Sequence, residues 1–359
     1  MISAPGRVNL IGEHIDYHGL PVLPMALQRS IRVHYHPRSD SKISATSGAY
    51  GHREFTWTAG LTPVARGDWE NYLRAAAQAI AGRWGVMNGI DATIEADLPP
   101  AAGLSSSSAL IVAVTLSLLR ANHCEASFED LMQILPDGEQ FVGTRGGGMD
   151  HAASLASREG CASLIEFVPL AVHHVPIPAD WAFLVANSLH TAEKSGAVRE
   201  RYNAVRTAGT EALRETGFAS YGEAIEGRTE QELCALAAAK HLPPPFLHVV
   251  TEAFRVRHAV EAMHTNDADR FGRLLMESHA SLRDRLQVSC PPLDRLVDAA
   301  MASGAAGARL TGAGFGGCAV VFCHRADLAK VHDGLVDRFY SGCPDHILPA
   351  EPGRGAVHS

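Results

Sequence analysis

Apolar and polar positions alternate in two rhythms along this chain, and the switches between them mark out its elements. In Ala92-Thr-Ile-Glu-Ala-Asp97, Ile94 and Ala96 alternate with Thr93, Glu95 and Asp97, the two-residue period of a half-buried strand. Ser30–Tyr35 and Cys318–Cys323 also read as strands, and Trp181–Ala186 as a buried one. From Asp68 the period changes. Leu73, Ala77, Ile80 and Trp84 are spaced 4, 3 and 4 apart, one face of a helix. Ala109–Leu119 is apolar nearly all round, which predicts a buried helix too short to span a membrane. A further helix is predicted over 127–135, broken at Pro136-Asp-Gly138. A short one follows over 151–157. Residues 169–178 read as a loop or a crossover between domains. Residues 193–290 read as mainly helical, interrupted at Pro243-Pro-Pro245.

The junction between the 92–97 strand and the 109–119 helix organises the rest. It is Leu98-Pro-Pro-Ala-Ala-Gly-Leu-Ser-Ser-Ser-Ser-Ala109. A small-residue loop at a helix N-terminus presents free backbone N–H groups and the positive end of the helix dipole, a natural phosphate seat. Gly103 lets a phosphate approach the backbone. Ser105, Ser106, Ser107 and Ser108 offer hydroxyls to phosphate oxygens or to Mg²⁺. A serine cap on a buried helix needs only one such residue, and here there are four in a row. The usual nucleotide loop G-x-x-x-x-G-K-[ST] is absent, and no lysine lies between Lys42 and Lys194. A triphosphate here would rest on backbone dipoles, metal and arginine.

Composition narrows the partners. The chain has 359 residues, enough for two domains, with 46% hydrophobic and 19% charged residues. Net charge is −8, without a basic block or basic–aromatic stripe, which argues against nucleic acid. Seven scattered cysteines with no C-x-x-C read as reduced thiols. The opening Met1-Ile-Ser-Ala-Pro-Gly-Arg7 lacks the apolar core of a signal peptide, so the expected location is the cytoplasm.

Other polar groups gather in glycine-rich settings. Arg7, Asn9, Glu13, His14, Asp16 and Tyr17 crowd one short segment. A polyhydroxylated ligand would satisfy them, and so would a salt-bridged surface turn. Gly146-Gly-Gly-Met-Asp150 sets Asp150 near a helix start, as an N-cap or as a carboxylate accepting a proton from a hydroxyl. Gly312-Ala-Gly-Phe-Gly-Gly317 formally satisfies G-x-G-x-x-G, but a strand follows it where a dinucleotide site requires a helix. It reads instead as a loop closing over a ligand. Trp69 and Tyr72 stand three apart at a helix start, a core pair or a stacking wall for a base.

Together these motifs resemble the GHMP kinase superfamily and, within it, the galactokinase branch. Arg7–Tyr17 is similar to that branch's signature G-R-V-N-[LI]-I-G-E-H-x-D-Y. Leu98–Ala109 resembles its ATP loop, Gly147–Asp150 its catalytic G-[GI]-M-D motif, and Leu310–Gly317 its third motif, all in the family's order. The resemblance implies an α+β fold, an S5-like N-terminal domain over residues 1–178 packed on a ferredoxin-like C-terminal domain over 179–359. It implies an ATP-dependent sugar-1-kinase acting on galactose, with N-acetylgalactosamine or another sugar of the branch as the alternative. It also assigns roles: Asp150 and Arg7 catalytic, and Glu13, His14, Asp16, Gly147 and Tyr202 on the sugar. Gly103, Leu104, Ser105, Ser106, Ser107 and Ser108, with Trp69 and Tyr72, would serve ATP. Ser107 and Glu139 would hold Mg²⁺. His151 stands where the family usually has Gln, and the spacing from Tyr202 to the next Arg differs by one. A non-catalytic sugar sensor of the same family would have a damaged serine loop, whereas this one is complete.

Overall fold

The computed structural model describes residues 1–98, 103–141, 143, 146–190 and 196–358. Two main sheets carry the fold. The first has six strands in the order Val357–His358, Ile2–Ile11, Leu23–Pro37, Ile90–Ala96, Lys42–Ser47, Gly51–Thr56. All neighbours are antiparallel except Lys42–Ser47 beside Ile90–Ala96. The second has four antiparallel strands in the order Ile347–Ala350, Trp181–Asn187, Cys318–His324, Gly307–Thr311. Numbered along the chain that order is 4-1-3-2, the split βαβ arrangement of a ferredoxin-like half.

Burial explains both sheets. In the four-stranded sheet, Ala182, Leu184, Ala186, Ala319, Val321 and Cys323 face the helices Pro291–Ala302 and Leu328–Arg338. The alternate residues Trp181, Phe183, Val320 and Phe322 join the main core, where three of the rings surround Phe271 of the helix Ala268–Asp284. A sheet covered on both faces reads as an unbroken apolar run. The Ser106–Ala121 helix is buried because it packs on the six-stranded sheet and against the helices Glu70–Trp84, Phe128–Phe141 and Met149–Ala156.

Several expectations need correction. Residues 1–35 open with glycines and turn chemistry in the sequence, yet Ile2–Ile11 is a strand, with irregular register between Pro5 and Arg7 and between Asn9 and Ile11. Such irregularities re-aim side chains beside sites. Gly6 serves close approach, since a Cβ there would lie 2.7 Å from the Leu104 carbonyl oxygen. The 127–135 helix does not stop at Pro136 but runs to Phe141. The helix packs along Glu70–Trp84, so tertiary packing overrides the proline. Residues 169–178 are no crossover: Leu170–Pro176 pairs with Cys161–Phe167 in a hairpin. The chain end also returns to the first sheet, with Val357 opposite Ser3 and the Gly353 N–H donating to the Ala26 carbonyl. A single cut at residue 178 therefore leaves a strand of the first sheet in the second unit.

Candidate active site

The first strand, the serine loop and the glycine loop before Met149 converge on Asp150. Arg7 Nε donates to Asp150 Oδ1 at 2.7 Å, and another guanidinium nitrogen donates to the Gly103 carbonyl at 2.8 Å. Ser105 Oγ donates to Asp150 Oδ2 at 2.5 Å, and Ser108 Oγ lies 3.5 Å from the same oxygen. Ser105 is left-handed, with φ of 56°, an unfavourable conformation for a residue with a side chain that turns its hydroxyl onto the carboxylate. Burial pushes the Asp150 carboxyl up. The Arg7 charge and the hydrogen bonds from Ser105 and Arg7 outweigh it and hold the group below the ordinary carboxylate range.

Asp150 and Arg7 line a cavity of about 480 Å³. Glu13, His14, Asp16, Gly147 and Tyr202 line it too, with Gly312 and Ala313 of the third motif. His14, at φ of 62°, shares a 2.8 Å hydrogen bond between Nδ1 and the Tyr17 hydroxyl, and its ring centroid is 5.4 Å from that of Tyr202. Burial lowers the His14 imidazole to about 4, so it is neutral near pH 7. The Gly147 N–H donates to Asp16 Oδ2 at 3.0 Å. A Cβ on Gly147 would lie 2.4 Å from the Tyr17 nitrogen, so only glycine fits. Burial, and then the neighbouring Asp150 charge, raise the Asp16 carboxyl to about 6. Burial also raises Glu13, while the charges of Arg309 and Arg7 pull it back.

The same cavity is lined by Gly103, Ser105, Ser107, Tyr72, Ile111 and Phe141, with the 63–68 loop and Asn71. Asn71 holds that loop: its Oδ1 accepts from the Val64 N–H at 2.8 Å and its Nδ2 donates to the Ala65 carbonyl at 3.0 Å. The sequence reading passed over Asn71, although it stands inside the Trp69–Tyr72 segment. Trp69 itself does not line the cavity. It is buried, and its indole N–H donates to the Tyr50 carbonyl at 3.0 Å. Leu104 is buried too, its carbonyl accepting from the Arg7 N–H at 3.2 Å. Ser106 begins the helix outside the lining, and the Glu139 side chain lies outside the described residues.

The donor chemistry at the helix start is all oxygen, from the Ser105 and Ser107 hydroxyls and the Asp150 carboxylate. That suits Mg²⁺, which takes one or two protein oxygens and otherwise phosphate and water. The residues present thus fit a metal brought in with a triphosphate.

Residues 71–158 match the family described as GHMP kinases N terminal domain, and residues 259–341 match GHMP kinases C terminal. Fold and site together define a GHMP kinase. Residues 1–37 match the galactokinase galactose-binding signature. A galactokinase of a Roseiflexus species is 36% identical, over 99% of this chain and 93% of its own. That of Chloroflexus aurantiacus is 37% identical, over 88% and 82%. The crystal structure of Lactococcus lactis galactokinase complexed with galactose superposes with a TM-score of 0.90 at 27% identity, covering 99% of this chain and 94% of that one. The chain belongs to the galactokinase family of sugar-kinase phosphotransferases.

Proposed function

We propose that this chain transfers the γ-phosphoryl group of ATP to the C1 hydroxyl of galactose, giving galactose 1-phosphate and ADP. The observation that carries the reading is Asp150, held by Arg7 and Ser105 in one cavity that signature and serine-loop residues line together. Phosphoryl transfer passes through a loose transition state, so positioning and charge neutralisation dominate. A carboxylate held below its ordinary range is a weak base. Asp150 therefore orients the C1 hydroxyl first and takes its proton late, as the bond to phosphorus forms. Arg7 faces the charge that develops on the transferred group. Glu13, His14, Asp16 and the Gly147 backbone hold the other sugar hydroxyls beside Tyr202. Gly103, Ser105 and Ser107, which line the cavity, seat the phosphates at the helix N-terminus, and Tyr72 lies along the base. Ser107, with Glu139, would hold Mg²⁺, which neutralises phosphate charge when bound. Cytoplasmic residence belongs to the same proposal, supported by seven free cysteines.

The test is kcat/KM for galactose, N-acetylgalactosamine and glucose side by side, read by ADP release. Galactose should lead, and glucose should lag by at least about tenfold, as expected where buried groups read a hydroxyl's configuration. A higher value for N-acetylgalactosamine would move the substrate and keep the kinase. Comparable turnover of glucose would undo the roles given to Glu13, His14 and Asp16.

A further inference from the structure

Arg309 is the fully buried cation that the mechanism above does not use. It stands at the middle of Gly307–Thr311, a strand whose five residues are all buried. A charge in such a place must be paired and hydrogen-bonded. One guanidinium nitrogen donates to the carbonyls of Asn9 at 2.9 Å and Leu10 at 3.0 Å. The second terminal nitrogen donates to Glu13 Oε2 at 2.8 Å, and Nε has no hydrogen-bond partner among the described residues. Asn9 Nδ2 donates to the same Oε2 at 3.0 Å. Among the described residues, both donors to this carboxylate land on Oε2, and Glu13 lines the cavity.

The backbone around Glu13 is pinned as well. His248 Nε2 donates to the Glu13 carbonyl at 3.0 Å, and Glu252 Oε1 accepts from the Gly12 N–H at 3.0 Å. His248 and Glu252 are four apart on the helix Pro244–His264, hence on one face. Backbone and one carboxylate oxygen are thus fixed, and the remaining freedom is rotation of the carboxylate. Two donors converging on Oε2 remove it and present Oε1 to the ligand.

We infer that Arg309 is a positioning residue that fixes the Glu13 oxygen facing the sugar and so sets selectivity for one sugar hydroxyl. The inference rests on the galactokinase reading. A neutral side chain at 309 would leave Asn9 as the one donor to the Glu13 carboxylate among the described residues. The carboxylate could then turn, and preference for the hydroxyl it reads would fall.

The experiment measures kcat/KM for galactose and for the four sugars lacking the hydroxyl at C2, C3, C4 or C6. The proteins are wild type, Glu13→Gln, Arg309→Gln and Arg309→Lys, each checked for folding by circular dichroism. Glu13→Gln identifies the hydroxyl that Glu13 reads. Arg309→Gln should lower discrimination at that same hydroxyl by at least about tenfold, a typical consequence of misplacing a polar reader. Discrimination at the other three positions and the KM for ATP should stay within about twofold of wild type. Arg309→Lys, which keeps the charge and loses the fork, should fall between the two and serves where Arg309→Gln does not fold. A folded Arg309 variant that slows all five sugars by one common factor would make the residue merely structural and overturn the inference. No turnover of galactose by the wild type would instead sink the galactokinase reading itself.

Discussion

Asp150 accepts hydrogen bonds on both oxygens, from Arg7 on one and Ser105 on the other. That geometry keeps the carboxylate ionised and aimed, which is what a proton acceptor in phosphoryl transfer needs. Asp150→Asn preserves the shape and removes the charge. Its kcat should fall by about 10²–10⁴-fold, the usual contribution of general base catalysis, while galactose and ATP still bind by calorimetry. Near wild-type kcat would make Asp150 structural. Asp16 is the residue whose titration should show. Its carboxyl is raised to about 6, so it is ionised at pH 7 and gains a proton as pH falls through that value. An ionised Asp16 accepts from the Gly147 N–H and, by proposal, from the sugar. The acid limb of kcat/KM for galactose should therefore have its midpoint near pH 6, and Asp16→Asn should abolish that limb. His14, lowered to about 4, stays neutral across this range and contributes no limb there. An acid limb that survives Asp16→Asn unchanged would assign it to another group.

Among elements, the Ser106–Ala121 helix does the most. Its apolar body fixes it between sheet and helices, so its N-terminus is a rigid place for charge. Ser107 lines the cavity there. Ser107→Ala should raise the KM for MgATP by about tenfold, the equivalent of one lost hydrogen bond to a charged group, and leave the KM for galactose near wild type. A wild-type Mg²⁺ titration in that variant would remove Ser107 from the metal's neighbourhood. This helix was legible because its all-round apolar run and its serine start agree with its packing. The helix ending at Phe141 was not, because Pro136 is a local stop signal that packing against the Glu70–Trp84 helix overrides. The Leu170–Pro176 strand was hidden by flanking prolines, and its pairing with Cys161–Phe167 is a contact that single-strand patterning does not encode.

At the scale of the whole molecule, the site exists because distant parts of the chain meet. Arg7 and Asp150 are 143 positions apart, and Glu13 and Arg309 are 296 apart. The motifs themselves were visible in order along the chain, and Asp150, Arg7, Glu13, His14, Asp16, Ser107 and Tyr72 do line one cavity. Trp69 fared differently, since whether an aromatic pair faces a ligand or the core depends on helix rotation against a neighbour. Arg309 carried a signal that went unread, a charge within the otherwise apolar Gly-Ala-Arg-Leu stretch before the third glycine loop. The returning tail that closes the first sheet left none, because two residues cannot show a period.

In the proposed reaction the phosphoryl group moves from the γ-phosphorus of ATP to the sugar C1 oxygen. Proton-coupled phosphorus NMR of the product made from galactose and MgATP reads that position directly. Transfer to C1 gives a sugar phosphate whose phosphorus couples to the anomeric proton, formed one for one with ADP. Phosphate on any other hydroxyl, or ADP released with no sugar phosphate, would contradict it.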